Sequence, residues 1–391
     1  MSFSTGFLRV QIVLQKLMGI PINYDTSRHI LYLNPHAHSW KHMVCWKFGK
    51  VSYIFFTLFT FIKLLHLVAS GKWESEMEQM VVYSIANAFS IFSYSTVWTV
   101  EHLGSEVCWV VSQQLLLERV HEKGNKRKFF SLLRLLSTSS IKELAVYIFT
   151  LCFAYAPIVC AAFPFFRNYC PVQSMFSLLF PSLIPELCSK IIASIWNGAT
   201  LLFGYVSCVS FFLAIVASIE CEKHLLKRLK QTGSEKHSLF RKESSEANFN
   251  HAHCPFYRQM QIIVTQSNIN VSLYCPSLIA IGFSFSISGY LTCFKFYDRI
   301  PLFVYCFCTI TGILMTFLFM ILVPIAAEPN ELSNEFVGSW RTRLRTRQLR
   351  MQLRSCMPFA YTIGPFLLVK RCTLLDMLNS IMDYTTSFIL V

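Results

Sequence analysis

Charged side chains are scarce in this sequence, 14% of 391 residues, where water-soluble domains carry about a quarter. Hydrophobic residues fill 54% of positions and the mean hydropathy is +0.46, so the chain has too little polar surface for a water-exposed exterior. Alternation of apolar and polar residues with period two is missing, which excludes an outer-membrane β-barrel. No N-terminal secretory signal is evident: the apolar stretch 7–22 is interrupted by Arg9 and Lys16 and lacks a small-residue cleavage pattern. Catalytic signatures are also wanting, with no phosphate-binding glycine loop, nucleophile elbow or His-Glu metal helix. The group His251-Ala252-His253-Cys254 has the composition of a metal cluster but no second ligand set. The chain is therefore expected not to be an enzyme and to hold no metal or cofactor.

What the sequence has instead is long apolar runs. Seven are long enough for a helix to cross about 30 Å of hydrocarbon, which takes about 20 residues: 51–70, 81–100, 144–163, 191–219, 271–294, 301–326 and 372–391. Isolated blocks of this kind satisfy their backbone hydrogen bonds only as helices. The expected fold is all-α, a polytopic bundle of seven transmembrane helices. A further apolar stretch, 174–187, is short and carries Pro181 and Pro185, so it is expected to be an outside loop that folds back.

The basic residues set the orientation. Of 35 Lys and Arg, 29 fall before the first span or in alternate loops: 1–50, 101–143, 220–270 and 327–371. The opposite loops hold Lys72, Arg167, Lys190, Lys295 and Arg299, and Lys63 lies within the first span, where it can snorkel. The positive-inside rule then puts the N-terminus inside and the C-terminus outside. The sole glycosylation sequon, Asn270-Val271-Ser272, falls on the inner side, in agreement. Six regions follow: a cytoplasmic segment 1–50, four spans in 51–219, an inner loop with helix extensions in 220–270, spans five and six in 271–326, a basic inner segment 327–371 and the last helix 372–391.

The sequence has 15 cysteines, most of them in spans or inner loops, where they behave as small apolar residues. Cys170 and Cys188 share a predicted outside loop and can pair as a disulfide, with two free thiols as the alternative. Apolar residues recur at helical spacing around 107–117 and 256–264, so spans are expected to continue as amphipathic helices in an inner packing layer. Between these, 231–251 reads as a solvated insert. The run Arg341, Arg343, Arg345, Arg347, Arg350 and Arg354 reads as a topogenic stretch meeting anionic headgroups of membrane lipid, and without an aromatic platform it does not read as a nucleic-acid site.

The last span carries the clearest polar pattern. Asp376, Asn379, Asp383 and Thr386 repeat at spacings of three or four, with Ser380 and Ser387 beside them. Two carboxylates facing lipid are costly, so the stripe should face protein or water. Repeated around an axis it would form rings suited to permeant cations; within one subunit it would join helices by hydrogen bonds.

The C-terminal third resembles that of the arthropod gustatory and odorant receptors. The stretch that carries the likeness runs from Trp340 through the arginines to Pro358, Gly364-Pro365-Phe366, Leu374-Leu375 and the residues after Thr385. The gustatory family has a similar Gly-x-Phe turn before its last helix, then Thr-Tyr, five mostly apolar positions and Gln-Phe. Here Thr385-Thr386 is followed by Ser387, Phe388, Ile389, Leu390 and Val391, and Gln-Phe has no counterpart. The resemblance implies a chemosensory receptor of the plasma membrane, in sensory neurons, acting as a ligand-gated cation channel. It further implies a homo- or hetero-tetramer, with the last helix at the central pore and Asp376, Asn379, Asp383, Thr386 and Ser387 lining it. It also implies a small organic ligand, tastant or odorant, among the outer halves of the earlier spans. At that depth lie Tyr83, Asn87, Phe153, Tyr155, Trp196 and Asn197, aromatic walls with a few polar groups. A G-protein-coupled receptor also has seven helices, but no Asp-Arg-Tyr follows the third span and no Asn-Pro-x-x-Tyr lies in the seventh. A transporter would favour inverted repeats, and the halves show no self-similarity.

Overall fold

The computed structural model describes residues 22–25, 30–33, 40–71, 76–122, 158, 161–162, 164–165, 170–179, 185–234, 249–364 and 367–390. Eight helices of nine residues or more appear among them: α1 (Trp40–Ala69), α2 (Met77–Glu122), α3 (Pro171–Leu179), α4 (Glu186–Ser234), α5 (Cys254–Lys295), α6 (Leu302–Arg343), α7 (Arg347–Ser355) and α8 (Arg371–Leu390). Two short antiparallel hairpins accompany them. One joins β1 (Ile22–Asp25) to β2 (Ile30–Leu33) and rests on α2; the other joins β3 (Thr362–Ile363) to β4 (Leu367–Leu368) just before α8. The all-α class read from the sequence stands.

Five of the described helices are long and apolar enough to cross a membrane, over Trp46–Ala69, Glu78–His102, Glu186–Val209, Cys275–Lys295 and Val304–Arg343. Each overlaps one of the expected spans. The expected span 144–163 lies almost wholly outside the described residues. Its fragment at 161–162 touches α4, where Ser194 Oγ donates to the Ala161 carbonyl at 2.5 Å. The seventh expected span is α8, more polar than the other five because of its carboxylates, amide and hydroxyls.

The helices run well past the hydrocarbon. With 46, 49, 42 and 42 residues, α2, α4, α5 and α6 extend about 63–74 Å at 1.5 Å per residue, twice the core of a bilayer. The divisions drawn at 219/220, 270/271 and 326/327 therefore fall inside unbroken helices. A backbone ladder has no reason to stop where apolar composition stops, provided the extension finds a partner for one face. That partner is a second core layer built from Leu225, Leu226 and Leu229 of α4, Phe256, Tyr257 and Met260 of α5, Phe336 and Trp340 of α6, and Leu349 and Leu353 of α7. Tyr257 stacks on Phe336 with ring centroids 4.8 Å apart, and its hydroxyl meets Ser333 Oγ at 2.5 Å and the Met357 carbonyl at 3.0 Å. His253 lies against Trp340 at 5.4 Å and Cys254 Sγ is 3.6 Å from Cys356 Sγ, so this part of the His-Cys group is packed into the layer.

Within the apolar portion, α1, α2 and α4 share one cluster around Tyr53, Phe92, Val97, Phe203 and Val206, while α4, α5, α6 and α8 share another around Ile219, Phe319, Val323, Met377 and Ile381. Backbone meets backbone where α5 crosses α6. A Cβ on Gly289 would stand 2.6 Å from Gly312 Cα and 2.8 Å from the Cys308 carbonyl oxygen, so the two glycines let the backbones touch.

One expectation is corrected. The stretch 174–187 is not simply a loop: its first half belongs to α3, started by Pro171, whose fixed φ suits a first helical turn. Arg341 and Arg343 close α6, about 25 Å along its axis past residue 326. Arg347, Arg350 and Arg354 lie on α7, which buries Leu349 and Leu353 in the second layer.

Candidate functional site

The sequence singled out two groups of residues, and the structure treats them differently. The first comprises Tyr83, Asn87, Phe153, Tyr155, Trp196 and Asn197. Phe153 and Tyr155 lie outside the described residues. Tyr83, Trp196 and Asn197 all converge on α3. Tyr83 on α2 is buried and has Ser174 as a hydrogen-bond partner. Trp196 on α4 packs edge-on against Phe176 at 6.0 Å and against Phe48 of α1 at 5.3 Å. Asn197 Nδ2 donates to Cys170 Sγ at 3.2 Å. Asn87 stands one turn from Tyr83 and accepts from Thr60 Oγ1 of α1 at 3.1 Å.

The short helix is thus the element that sequence reasoning missed. Cys170 and Val172 are buried with Ala193 of α4, and Phe56 and Phe176 close over them. Two polar atoms in this neighbourhood have no hydrogen bond: the Trp196 indole Nε1, a donor, and Gln173 Oε1, an acceptor. Buried polar groups are normally paired because each unpaired one costs about 1–3 kcal/mol. An aromatic-walled region with one spare donor and one spare acceptor can hold a small molecule carrying a complementary polar group. The sequence signal was Gln173, a polar residue between two prolines in an apolar stretch. The disulfide left open between Cys170 and Cys188 does not form: Cys170 is sealed in the core with Asn197, Cys188 is exposed, and both are free thiols.

The second group lies on α8. Thr373, Met377, Ile381 and Thr385, four residues apart, are its buried stripe. Asp376, Asn379, Asp383, Thr386 and Ser387 are all exposed, and at 100° per residue they fall on the opposite side. The Ser380 and Ser387 hydroxyls bond back to the Asp376 and Asp383 carbonyls at 2.8 and 2.7 Å, which leaves the carboxylates and the Asn379 amide as the outward polar groups. No ion pair engages Asp376 or Asp383 among the described residues.

Both ends of α8 are held from outside it. Arg371 pairs with Glu331 of α6 at 2.7 Å, and Lys295 at the end of α5 donates to the Phe388 carbonyl at 3.1 Å. Of the Gly364-Pro365-Phe366 motif, Gly364 sits in the turn after β3 at φ 60°, a conformation that favours glycine, and the other two lie outside the described residues. Asn268 of α5 clamps the approach to this turn, its Nδ2 donating to Ala360 O at 2.6 Å and its Oδ1 accepting from Thr362 N at 3.3 Å.

No family model matches the sequence, and no curated protein does. The fold is similar to that of the insect olfactory receptor OR5 from Machilis hrabei. The TM-score is 0.66 both for its complex with eugenol, at 12% sequence identity, and for its other structure, at 11%; each comparison covers 98% of this chain and 97% of that one.

Proposed function

We propose that this chain, which has the fold of an insect olfactory receptor, is a divergent member of the gustatory and odorant receptor superfamily of arthropods and works as a ligand-gated cation channel. Four subunits surround an axis, with the N-terminus in the cytoplasm, and each contributes α8 to the pore. The carrying observation is the outward stripe of Asp376, Asn379 and Asp383, exposed opposite the buried Met377 and Ile381. Carboxylates on the outside of an apolar chain are tolerated next to water or protein rather than lipid, and rings of them attract cations and reject anions.

The ligand is a small organic molecule held between α2, α3 and α4, where Tyr83, Gln173 and Trp196 offer polar contacts within aromatic walls. The olfactory receptor of like fold that binds eugenol supports this class. Binding favours whichever arrangement of the α8 helices it fits better, and so shifts a closed-to-open equilibrium. Tracer cation uptake into vesicles bearing the protein, wild type against Asp383→Asn and Asp383→Lys, tests the pore. Asp383→Lys is expected to abolish cation uptake with normal amounts of folded protein, and Asp383→Asn to reduce it. Uptake equal in all three would remove α8 from the conduction path.

A further inference from the structure

Glu222 is a carboxylic acid buried where several elements meet. It lies on α4 beyond the apolar part of that helix and is 1% exposed. From α2, the equally buried Gln114 donates its Nε2 to Glu222 Oε1 at 2.6 Å. Two buried hydroxyls face its carboxyl group, Ser218 on α4 and Tyr361 just before β3. Ser267 of α5 adjoins Tyr361.

The nearby cations are engaged elsewhere. Lys223 pairs with Glu328 of α6 and with Glu220, Lys227 with Glu328, Lys230 with Glu335 of α6, and Arg371 of α8 with Glu331 of α6. His224 faces Arg228 and Lys227. Tyr361 is the titratable group opposite Glu222, and burial with that neighbour keeps it a neutral phenol. Burial also pushes the Glu222 carboxyl up to about 8, against the hydroxyls and amide that favour its ionised form. The acid is therefore mostly neutral at neutral pH, and a modest alkaline change ionises it.

We propose that Glu222 is a proton-binding site that fastens the α2 and α4 helices to the segment leading into α8. Protonated, it sits dry among Gln114, Ser218 and Tyr361; ionised, its carboxylate keeps their donors but draws water into the junction. Tyr361 shares a buried cluster with Met377 and Ile381 of α8, so the loosening reaches that helix. This last step rests on the reading of α8 as the pore helix. The sign follows from the proton count: between the ordinary 4.5 and about 8, the packed junction holds a proton that a loosened, hydrated one lacks. The junction therefore weakens as pH rises through that window and lacks the proton's contribution above it.

The test uses the full chain in lipid vesicles with equal pH on both sides. Thermal unfolding, the infrared carbonyl band of protonated carboxyls and tracer cation efflux are followed from about pH 6 to about pH 9. In wild type the unfolding midpoint should fall, one buried carboxyl band should disappear near pH 8 and efflux should rise. Glu222→Gln, which has the shape of the protonated acid, should lack that band and flatten both pH responses. The same band and midpoint response in Glu222→Gln would overturn the site. Tyr361→Phe removes a hydroxyl that favours the ionised acid and should move the band's titration to higher pH; an unmoved titration would remove the contact. Wild-type vesicles whose band titrates but which pass no cation at any pH would sink the channel reading alone. Efflux with one pH response in wild type and Glu222→Gln would sink the proton site alone.

Discussion

The helices α1 and α8 both turn many side chains outward, and only α8 adds carboxylates to them. On α1 the exposed residues are Phe55, Leu58, Ile62 and Leu65, while Ser52, Tyr53 and Thr60 are buried. The buried hydroxyls find partners inside: Thr57 Oγ1 donates to Ser90 Oγ of α2 at 2.9 Å, and Tyr53 donates to the Thr200 carbonyl. On α8 Met377 and Ile381 are inside with Thr373 and Thr385, and the carboxylates stand outside beside Leu375, Met382 and Phe388. A helix that hides its polar groups and displays its apolar ones suits lipid. One that sets carboxylates outward, in the same apolar chain, needs water or another protein surface against them. The contrast therefore separates an edge suited to lipid from one suited to water or to protein.

Three changes bear on that contrast, the largest first. Ile381 is 1% exposed, and Ile381→Ala should cost about 2–5 kcal/mol of stability through the lost contacts and the cavity left behind. Its neighbour Met382 is 62% exposed, and Met382→Ala should stay within about 0.5 kcal/mol. Thermal unfolding in detergent would read both, and equal losses would mean that α8 has no distinct inner face.

Next in size is the exchange of outer chemistry. Leu58 is 55% exposed on α1, and Leu58→Asp places a carboxylate against lipid at about 2.5–3.5 kcal/mol, with a matching fall in membrane-inserted, folded protein. Asp383→Leu on α8 should leave that yield unchanged, since it removes a charge that no described residue pairs. A comparable loss of folded protein from both changes would break the distinction between the two edges.

The legible features were those carried by local period or by length. Apolar length located five of the described helices, and a three-and-four spacing picked out the α8 stripe and the face at 256–264 that joins the second layer, whereas the face at 107–117 packs mainly into the cluster around Tyr53 and Phe203. The extensions of α4 and α6 were not legible, because they continue on faces whose partners are distant in sequence. The helix α3 was hidden by its prolines, which punctuate a loop and start a helix with equal ease. Glu222 was hidden by its neighbours: between Glu220 and Lys223 it reads as one more solvated charge, and only the fold brings Gln114 and Tyr361 to it. The choice between a disulfide and two free thiols was open in the sequence for a related reason. A shared loop says nothing of direction, and Cys170 points into the core while Cys188 points out.

The smallest expected change concerns the region around α3, where inward polar groups lack partners, in contrast to the satisfied interior of α1. Trp196→Phe keeps the ring packed against Phe48 and Phe176 but deletes the unpaired indole donor. Removing a buried donor that bonds nothing should leave stability unchanged or raise it by up to about 1 kcal/mol. If that donor is held ready for a ligand, small aromatic alcohols and esters that stabilise the wild type should bind the variant about tenfold more weakly, the equivalent of one hydrogen bond. Thermal shift against a graded series of such compounds separates the two effects. A variant that gains stability and keeps every affinity would show the indole nitrogen to be a packing defect, and would leave Gln173 Oε1 as the polar atom around which a ligand must be placed.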